Sequence, residues 1–131
     1  MASIFSKIIA GEIPCYKVAE SKNYFAFLDI RPLREGHTLV VPKTEVDRLF
    51  DLDEETYSGL FSFTKHVADA IKKAFPCDRV GLAVIGLEVP HAHIHLIPIN
   101  IMSDMDFTNP KVSLSQNELA ACAKKISALL N

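Results

Sequence analysis

The chain has 131 residues, of which 49% are hydrophobic and 23% are charged, and its formal net charge at pH 7 is −2. This composition is typical of a folded domain of ordinary size, so we expect residues 1–131 to form a single domain rather than a disordered chain. The nearly balanced charge offers no electrostatic footprint for a nucleic acid duplex or for an anionic membrane surface.

The cysteine content and the chain start both indicate a cytoplasmic protein. The odd number and wide spacing of Cys15, Cys77 and Cys122 do not indicate a disulfide framework. No apolar run approaches the ~20 residues that a membrane span needs. Residues 1–7 lack the basic and then apolar order of a signal peptide.

The first part of the chain predicts a short helix and three strands. Apolar residues at 4–10, followed by glycine and proline, predict the helix. An aromatic-rich strand at 24–28 is expected to form a hairpin with a strand at 16–19, because turn residues separate them. A third strand is predicted at 37–41, after a loop rich in proline and glycine.

The second part of the chain predicts two helices and two more strands. Apolar residues at three- and four-residue spacing predict a long helix over 53–75, with Asp53 as its N-cap. Strands are predicted at 79–85 and 92–97, and a capping-box pattern opens a C-terminal helix over 115–130. We therefore expect an α+β fold with a five-stranded, mostly antiparallel sheet.

Three of the five histidines alternate along the predicted fifth strand. Residues two apart on a strand share a face, so His91, His93 and His95 are expected to point one way. Each imidazole needs partners for two nitrogens, which makes three of them in register a poor packing solution. This pattern predicts a functional face.

A metal site is one chemistry that such a face could support. At ~3.3 Å per residue the Cα atoms of the outer two histidines lie ~13 Å apart, so one ion binds at most two of the three. Further ligands would have to come from elsewhere in the chain, where His37, His66, Glu88 and Asp104 are available.

Nucleophilic catalysis on phosphorus is the competing chemistry. A neutral imidazole nitrogen can attack a phosphoryl centre and form a phosphohistidine intermediate. Neighbouring imidazoles can donate hydrogen bonds to the developing negative charge. This chemistry needs a central nucleophile flanked by donors, as alternate histidines on a strand provide.

Four segments resemble the histidine-triad (HIT) family, and its bacterial Hint-like branch in particular. The alternating histidines in 91–97 match the family's triad pattern. Residues 4–14 resemble its opening helix and turn, and residues 25–32 and 36–43 resemble its next two signatures, in family order. The resemblance implies a homodimer in which two five-stranded sheets join.

The same resemblance implies a nucleotidyl hydrolase or transferase that acts on the α-phosphate of a purine nucleotide or nucleotide conjugate. Substrates known in the family include nucleoside phosphoramidates, aminoacyl-adenylates and dinucleoside polyphosphates. We expect no cofactor. A nucleotide-binding sensor or scaffold without catalysis and, behind it, a metal-dependent hydrolase are the alternatives.

The resemblance also implies residue roles. His93 would be the nucleophile, His91 and His95 would flank the phosphate and hold the array, and His37 would buttress the site. Asp29 matches the acidic residue that receives the ribose hydroxyls. Four apolar residues match the walls of the base pocket or pack in the core: Phe5, Phe27, Leu28 and Ile30.

Two departures from the family pattern are visible. Ser3, Ser6 and Glu45 occupy positions where many bacterial members carry zinc ligands, so we predict no structural zinc site. The loop before the triad is short, and Leu87 and Glu88 replace polar residues that contact phosphate. Glu88 would then point away from the phosphate, protonate a leaving group, weaken turnover or shift the substrate.

Overall fold

The structure is a computed structural model that describes residues 2–130. The helices are α1 (Ile4–Ile9), α2 (Glu54–Ala74) and α3 (Gln116–Ser127). The strands are β1 (Lys17–Glu20), β2 (Tyr24–Leu28), β3 (Thr38–Pro42), β4 (Arg79–Ala83) and β5 (Ile94–Ile99). They form one sheet in the order β1-β2-β3-β5-β4, and every neighbouring pair is antiparallel. The predicted α+β fold with a five-stranded antiparallel sheet is confirmed.

Helix α2 forms where its caps and its apolar stripe predict it. The Asp53 carboxylate accepts a hydrogen bond from the Thr56 N–H at the amino end, and two lysines lie in the last turn. Leu60, Val67 and Ile71 recur on one face and are fully buried in the main core. None of the helices within residues 2–130 has the length and apolar character needed to cross a membrane.

The two faces of the sheet support different parts of the molecule. Alternate residues such as Ala26, Leu28 and Val40 point into the main core, which the residues of α2 and α3 complete. Phe27 and Leu39 point to the opposite face, where Phe5 of α1 covers them. This second, smaller cluster forms the floor beside the histidines.

Strand β5 begins at Ile94, two residues later than predicted, and β4 ends at Ala83 rather than at residue 85. Before Ile94 the backbone pairs with loops: the Ala92 N–H donates to the Val46 carbonyl across 2.7 Å. Ladder pairing with β3 starts only where Ile94 lies opposite Val40. Of the three alternating histidines, His95 alone therefore lies within the strand.

The two edges of the sheet differ in what lies beside them. At the β1 edge, the Ser127 hydroxyl of α3 donates to the Val18 carbonyl across 2.6 Å. At the other edge, β4 has β5 as its single strand neighbour within residues 2–130. Leu82 on this edge is 46% exposed. The β4 edge is thus the open one.

Candidate active site

The ring of His93, just before β5, lies against two other rings and one backbone carbonyl. Its ring packs edge-on against Phe5 and against His95, with ring centroids 5.0 Å apart in both pairs. Nδ1 of His93 lies 2.8 Å from the backbone carbonyl oxygen of His91. Because a carbonyl can only accept, Nδ1 carries the proton, and the lone pair of the neutral ring is on Nε2.

A hydrogen-bond chain sets the tautomer of His95. The Leu33 N–H donates to Nδ1 of His37 across 3.0 Å, so the proton of neutral His37 is on Nε2. That nitrogen lies 3.0 Å from Nδ1 of His95, which must therefore accept. The neutral His95 ring then carries its proton on Nε2, where it can be donated to an anion.

A cleft of about 470 Å³ opens beside His93. Its walls include Arg48, Phe50, Ile85 and Leu87. Nε2 of His93 has no protein partner among residues 2–130, and no buried polar side-chain atom there is left unpaired, so this Nε2 is accessible. His93 thus combines an accessible imidazole lone pair with a place in the wall of a cavity large enough for a small substrate group.

His91 is held beneath the surface between two protein partners. Its side chain is fully buried. Nε2 lies 2.8 Å from the Pro42 carbonyl and Nδ1 lies 2.7 Å from the Ser3 hydroxyl. Both ring nitrogens of His91 are therefore occupied by protein partners.

Burial lowers the pKa of three histidines near the cleft: His37, His93 and His95. Removal from water lowers the pKa of His37 to about 4, and the nearby Lys111 charge acts in the same direction. Burial likewise lowers the pKa of His95 to about 4. Burial also lowers the pKa of His93, against an opposing effect of its bond to the His91 carbonyl. The lowered pKa favours the neutral form of His93 at pH 7.

Asp29 lies next to the hydrogen-bond chain. One carboxylate oxygen accepts from the Arg31 N–H at 2.9 Å, and the other lies 3.7 Å from Nε2 of His37. Burial raises the pKa of this carboxyl group. The side chain is 24% exposed, so it remains reachable by a ligand.

Within residues 2–130, one group has the arrangement needed to hold a metal ion: Asp29, His37 and His95, whose ligand atoms lie within 4.8 Å of one another. Both histidine atoms already share a hydrogen bond. A neutral His37 has no second lone pair for an ion, because Leu33 occupies Nδ1. The geometry therefore favours a hydrogen-bonding proton between His37 and His95 over a bound metal ion.

The other proposed metal ligands are placed away from this group. His66 lies exposed on α2. The Asp104 carboxylate accepts from Arg34 at 2.9 Å and from the Asn100 N–H at 2.8 Å. Neither residue belongs to the group that could hold an ion.

The expected walls of the base pocket are divided between the two faces of the sheet. Phe5 and Phe27 pack together on the histidine side, with ring centroids 5.4 Å apart. Leu28 is buried in the main core on the opposite face, which fits the alternative that it packs in the core. The reason is the alternation of side chains along β2. Ile30 is 66% exposed beyond the end of that strand.

Glu88 lies exposed in the short loop before the histidines, next to Leu87, which is 89% exposed. The negative charge of Glu88 acts to raise the pKa of His93, although burial outweighs it. Glu88 is thus close enough to His93 to influence its charge state.

Two residues near the histidines had no role predicted from the sequence. Phe107 lies edge-on to His95, with ring centroids 5.0 Å apart. Lys111 donates to the Phe107 carbonyl at 2.8 Å, and its charge acts on His37 and His95. Both lie in an irregular segment without periodicity, so no local pattern points to them.

The fold and these residues can be compared with known proteins. A family model described as the HIT domain matches residues 10–101. Protein hit of Bacillus subtilis (strain 168) is 39% identical over 102 residues, which cover 72% of this chain and 69% of that protein. Adenosine 5'-monophosphoramidase hnt1 of Schizosaccharomyces pombe is 33% identical over 130 residues, covering 98% of each chain.

A solved structure agrees with these matches. The crystal structure of a Hit-like protein from Bartonella henselae superimposes with a TM-score of 0.84 and is 34% identical, covering 98% of this chain and 96% of that one. The resemblance in the triad and flanking segments is confirmed, as is the fold expected from it. This chain therefore belongs to the HIT family.

Proposed function

We propose that this protein hydrolyses nucleoside phosphoramidates or related nucleotide conjugates at the α-phosphate, through a nucleotidyl-histidine intermediate on His93. One observation carries the proposal: Nδ1 of His93 bonds to the His91 carbonyl, and this leaves an accessible Nε2 lone pair beside a cleft. The relative from S. pombe, named as an adenosine 5'-monophosphoramidase, supports the same substrate class.

The first step forms a bond between Nε2 of His93 and the α-phosphorus, while the bond from phosphorus to the leaving amine breaks. The amine departs with a proton taken from water in the open cleft. The Nε2–H of His95 donates to a phosphate oxygen as negative charge develops there. Its tautomer is preset by His37, so no reorganisation is needed during the step.

The second step returns the enzyme to its starting state. Water attacks the phosphorus, the bond between phosphorus and His93 breaks, and the nucleotide leaves with the new oxygen. His93 regains its Nε2 lone pair, and the proton of the attacking water passes to solvent. His93 must be neutral for the first step, and burial supports this at pH 7.

The nucleoside is proposed to lie against Phe5 and Phe27, with its ribose hydroxyls donating to the Asp29 carboxylate. The two aromatic rings belong to the cluster beside the histidines. A purine ring offers a flat apolar surface that suits such side chains. The leaving group would then occupy the cleft lined by Phe50 and Leu87.

The test is to replace His93 with alanine and to measure turnover of adenosine 5'-phosphoramidate, with mass spectrometry of the intact protein after rapid quenching. We expect the wild type to show an adenylyl adduct and His93→Ala to lose both the adduct and turnover. His66→Ala is the matched control, because His66 lies exposed on α2. Turnover at the wild-type rate in His93→Ala would exclude His93 as the nucleophile.

A nucleotide-binding sensor or scaffold with little catalysis is the second proposed function. It is favoured by the loop before the histidines, where an exposed leucine and Glu88 lie near His93. An acidic side chain weakens the attraction of an anionic substrate to this region. Nucleotide binding in calorimetry without any adduct on the wild-type protein would support this function over hydrolysis.

The metal-dependent alternative makes a different prediction. It was expected to use two triad histidines, whereas the group within residues 2–130 that could hold an ion is Asp29, His37 and His95. An ion there would displace the proton shared by the two histidines. We expect activity to survive dialysis against a chelator. Loss of activity in chelator, restored by one divalent metal, would favour the metal-dependent hydrolase.

We also propose a homodimer in which two sheets join at their β4 edges. Strand β4 is the open edge, with Leu82 46% exposed, whereas α3 bonds to the β1 edge. Light scattering should give twice the chain mass for the wild type and a lower mass for Leu82→Glu. The control is Ile4→Glu, since Ile4 is 48% exposed on α1.

A further inference from the structure

We propose that Ser3, Ser6 and Glu45 act as a positioning cluster, which holds His91 and through it sets the tautomer of His93. The inference rests on the proposed role of His93 as nucleophile, but the hydrogen bonds that carry it lie outside the reacting atoms.

The first step in the argument is the anchor between α1 and the loop after β3. One carboxylate oxygen of Glu45 accepts from the Ser3 N–H and from the Ser6 hydroxyl, each at 2.7 Å. Because the Ser6 proton is committed to Glu45, the Ser6 hydroxyl cannot also donate to His91, whose Nδ1 is 3.5 Å away. Glu45 therefore determines that Ser3, and not Ser6, donates a hydrogen bond to Nδ1 of His91.

The second step is the contact between Ser3 and His91. The Ser3 hydroxyl oxygen already accepts from the Ser6 N–H at 3.0 Å, as the N-cap of α1. Its own proton is free to be donated to Nδ1 of His91 across 2.7 Å. The opposite ring nitrogen donates to the Pro42 carbonyl at 2.8 Å, so the proton arrangement of His91 is fully specified.

The third step leads from His91 to the nucleophile. The ring of His91 is held at both nitrogens. In addition, the backbone N–H of His91 donates to the Val89 carbonyl at 2.8 Å. These contacts fix the direction of the His91 carbonyl, which receives the Nδ1–H of His93. If His91 shifts, this acceptor moves, and the proton of His93 is free to relocate to Nε2, where it blocks attack.

An N-cap serine alone would stabilise α1 without any effect on His93. Ser3, however, also bonds to a fully buried imidazole 88 residues away, so it connects α1 to His91. Ser3 is itself 6% exposed, so its bond to His91 is buried and largely shielded from bulk water. A buried imidazole that loses such a donor is left with an unpaired acceptor.

The experiment combines kinetics with nitrogen NMR of the imidazoles, on the full chain. Ser3→Ala removes the donor to His91, and Glu45→Ala releases the Ser6 proton to compete for Nδ1. We expect each to reduce the Nδ1–H population of His93 and to lower kcat by roughly tenfold, with KM little changed. Ser58→Ala, on the exposed face of α2, is the control.

Conservative variants separate positioning from general destabilisation. Ser3→Thr keeps the hydroxyl, and Glu45→Gln keeps an oxygen that can accept both bonds, so both should restore the wild-type tautomer and kcat. An unchanged His93 tautomer in both Ser3→Ala and Glu45→Ala would overturn the proposal. The NMR measurement needs no turnover, so it tests the positioning cluster even if the wild type forms no adduct.

Discussion

Nε2 of His37 donates its proton to Nδ1 of His95 across 3.0 Å, joining residues 58 positions apart in the chain. The direction of this bond is set one step earlier, where the Leu33 N–H occupies Nδ1 of His37. A backbone amide thus determines which nitrogen of His95 can donate to a phosphate. In the proposed reaction His37 would thus act through His95.

Replacement of His37 by phenylalanine tests this relationship. The variant keeps an aromatic ring but leaves the Leu33 N–H and the Nδ1 of His95 without partners. We expect the free energy of unfolding to fall by about 1–3 kcal/mol for an unsatisfied buried group, and kcat to fall about tenfold. Urea denaturation and steady-state kinetics measure the two effects. His66→Phe is the control. An unchanged kcat in His37→Phe would contradict the role of the hydrogen-bond chain from Leu33 to His95.

Stability is expected to decrease as the pH is lowered from about 6.5 to about 4. The pKa of His37 and that of His95 lie near 4 in the folded protein, compared with 6.5 for an unperturbed histidine. Within this window the unfolded chain binds protons that the folded chain does not, so acid favours unfolding. Urea midpoints at several pH values measure the slope. His37→Phe should show a shallower slope, and an equal slope would refute this assignment.

The role proposed for Asp29 can be tested with paired substrates. Asp29→Asn keeps an oxygen for the Arg31 N–H but removes the charge that would receive ribose hydroxyls. We expect KM for an adenosine substrate to rise about tenfold, since a hydrogen bond to a charged group contributes about 1.5–3 kcal/mol. KM for the 2',3'-dideoxy analogue should not change. An equal rise for both substrates would mean that Asp29 acts through the fold rather than on the ribose.

Glu88 is expected to weaken substrate binding and to shift the acid limb of the activity profile. Its charge raises the pKa of His93, so Glu88→Gln should move the acid limb of kcat/KM to lower pH. The loss of a negative charge near an anionic substrate should also lower KM. A pH series of kcat/KM measures both. Glu12→Gln, at another exposed position, is the control, and a limb that moves to higher pH would contradict the assignment.

Local patterns in the sequence were sufficient for most of the secondary structure and for the residues of the triad. The predicted second strand, 24–28, coincides with β2, and the predicted long helix differs from α2 by one residue at each end. Periodicity and caps are properties of neighbouring residues, so they can be read without knowledge of the fold. The alternating histidines were visible for the same reason.

Only the tertiary structure decided how each histidine is oriented, buried and hydrogen-bonded. His91 is buried because Ser3 and Pro42 satisfy its ring from positions 88 and 49 residues away. Leu28 belongs to the opposite face of the sheet because of its place in β2. Protonation patterns depend on long-range hydrogen bonds whose partners carry no local signal. The histidines of the candidate site could therefore be recognised from the sequence, whereas their orientation, burial and tautomers depend on the packed chain.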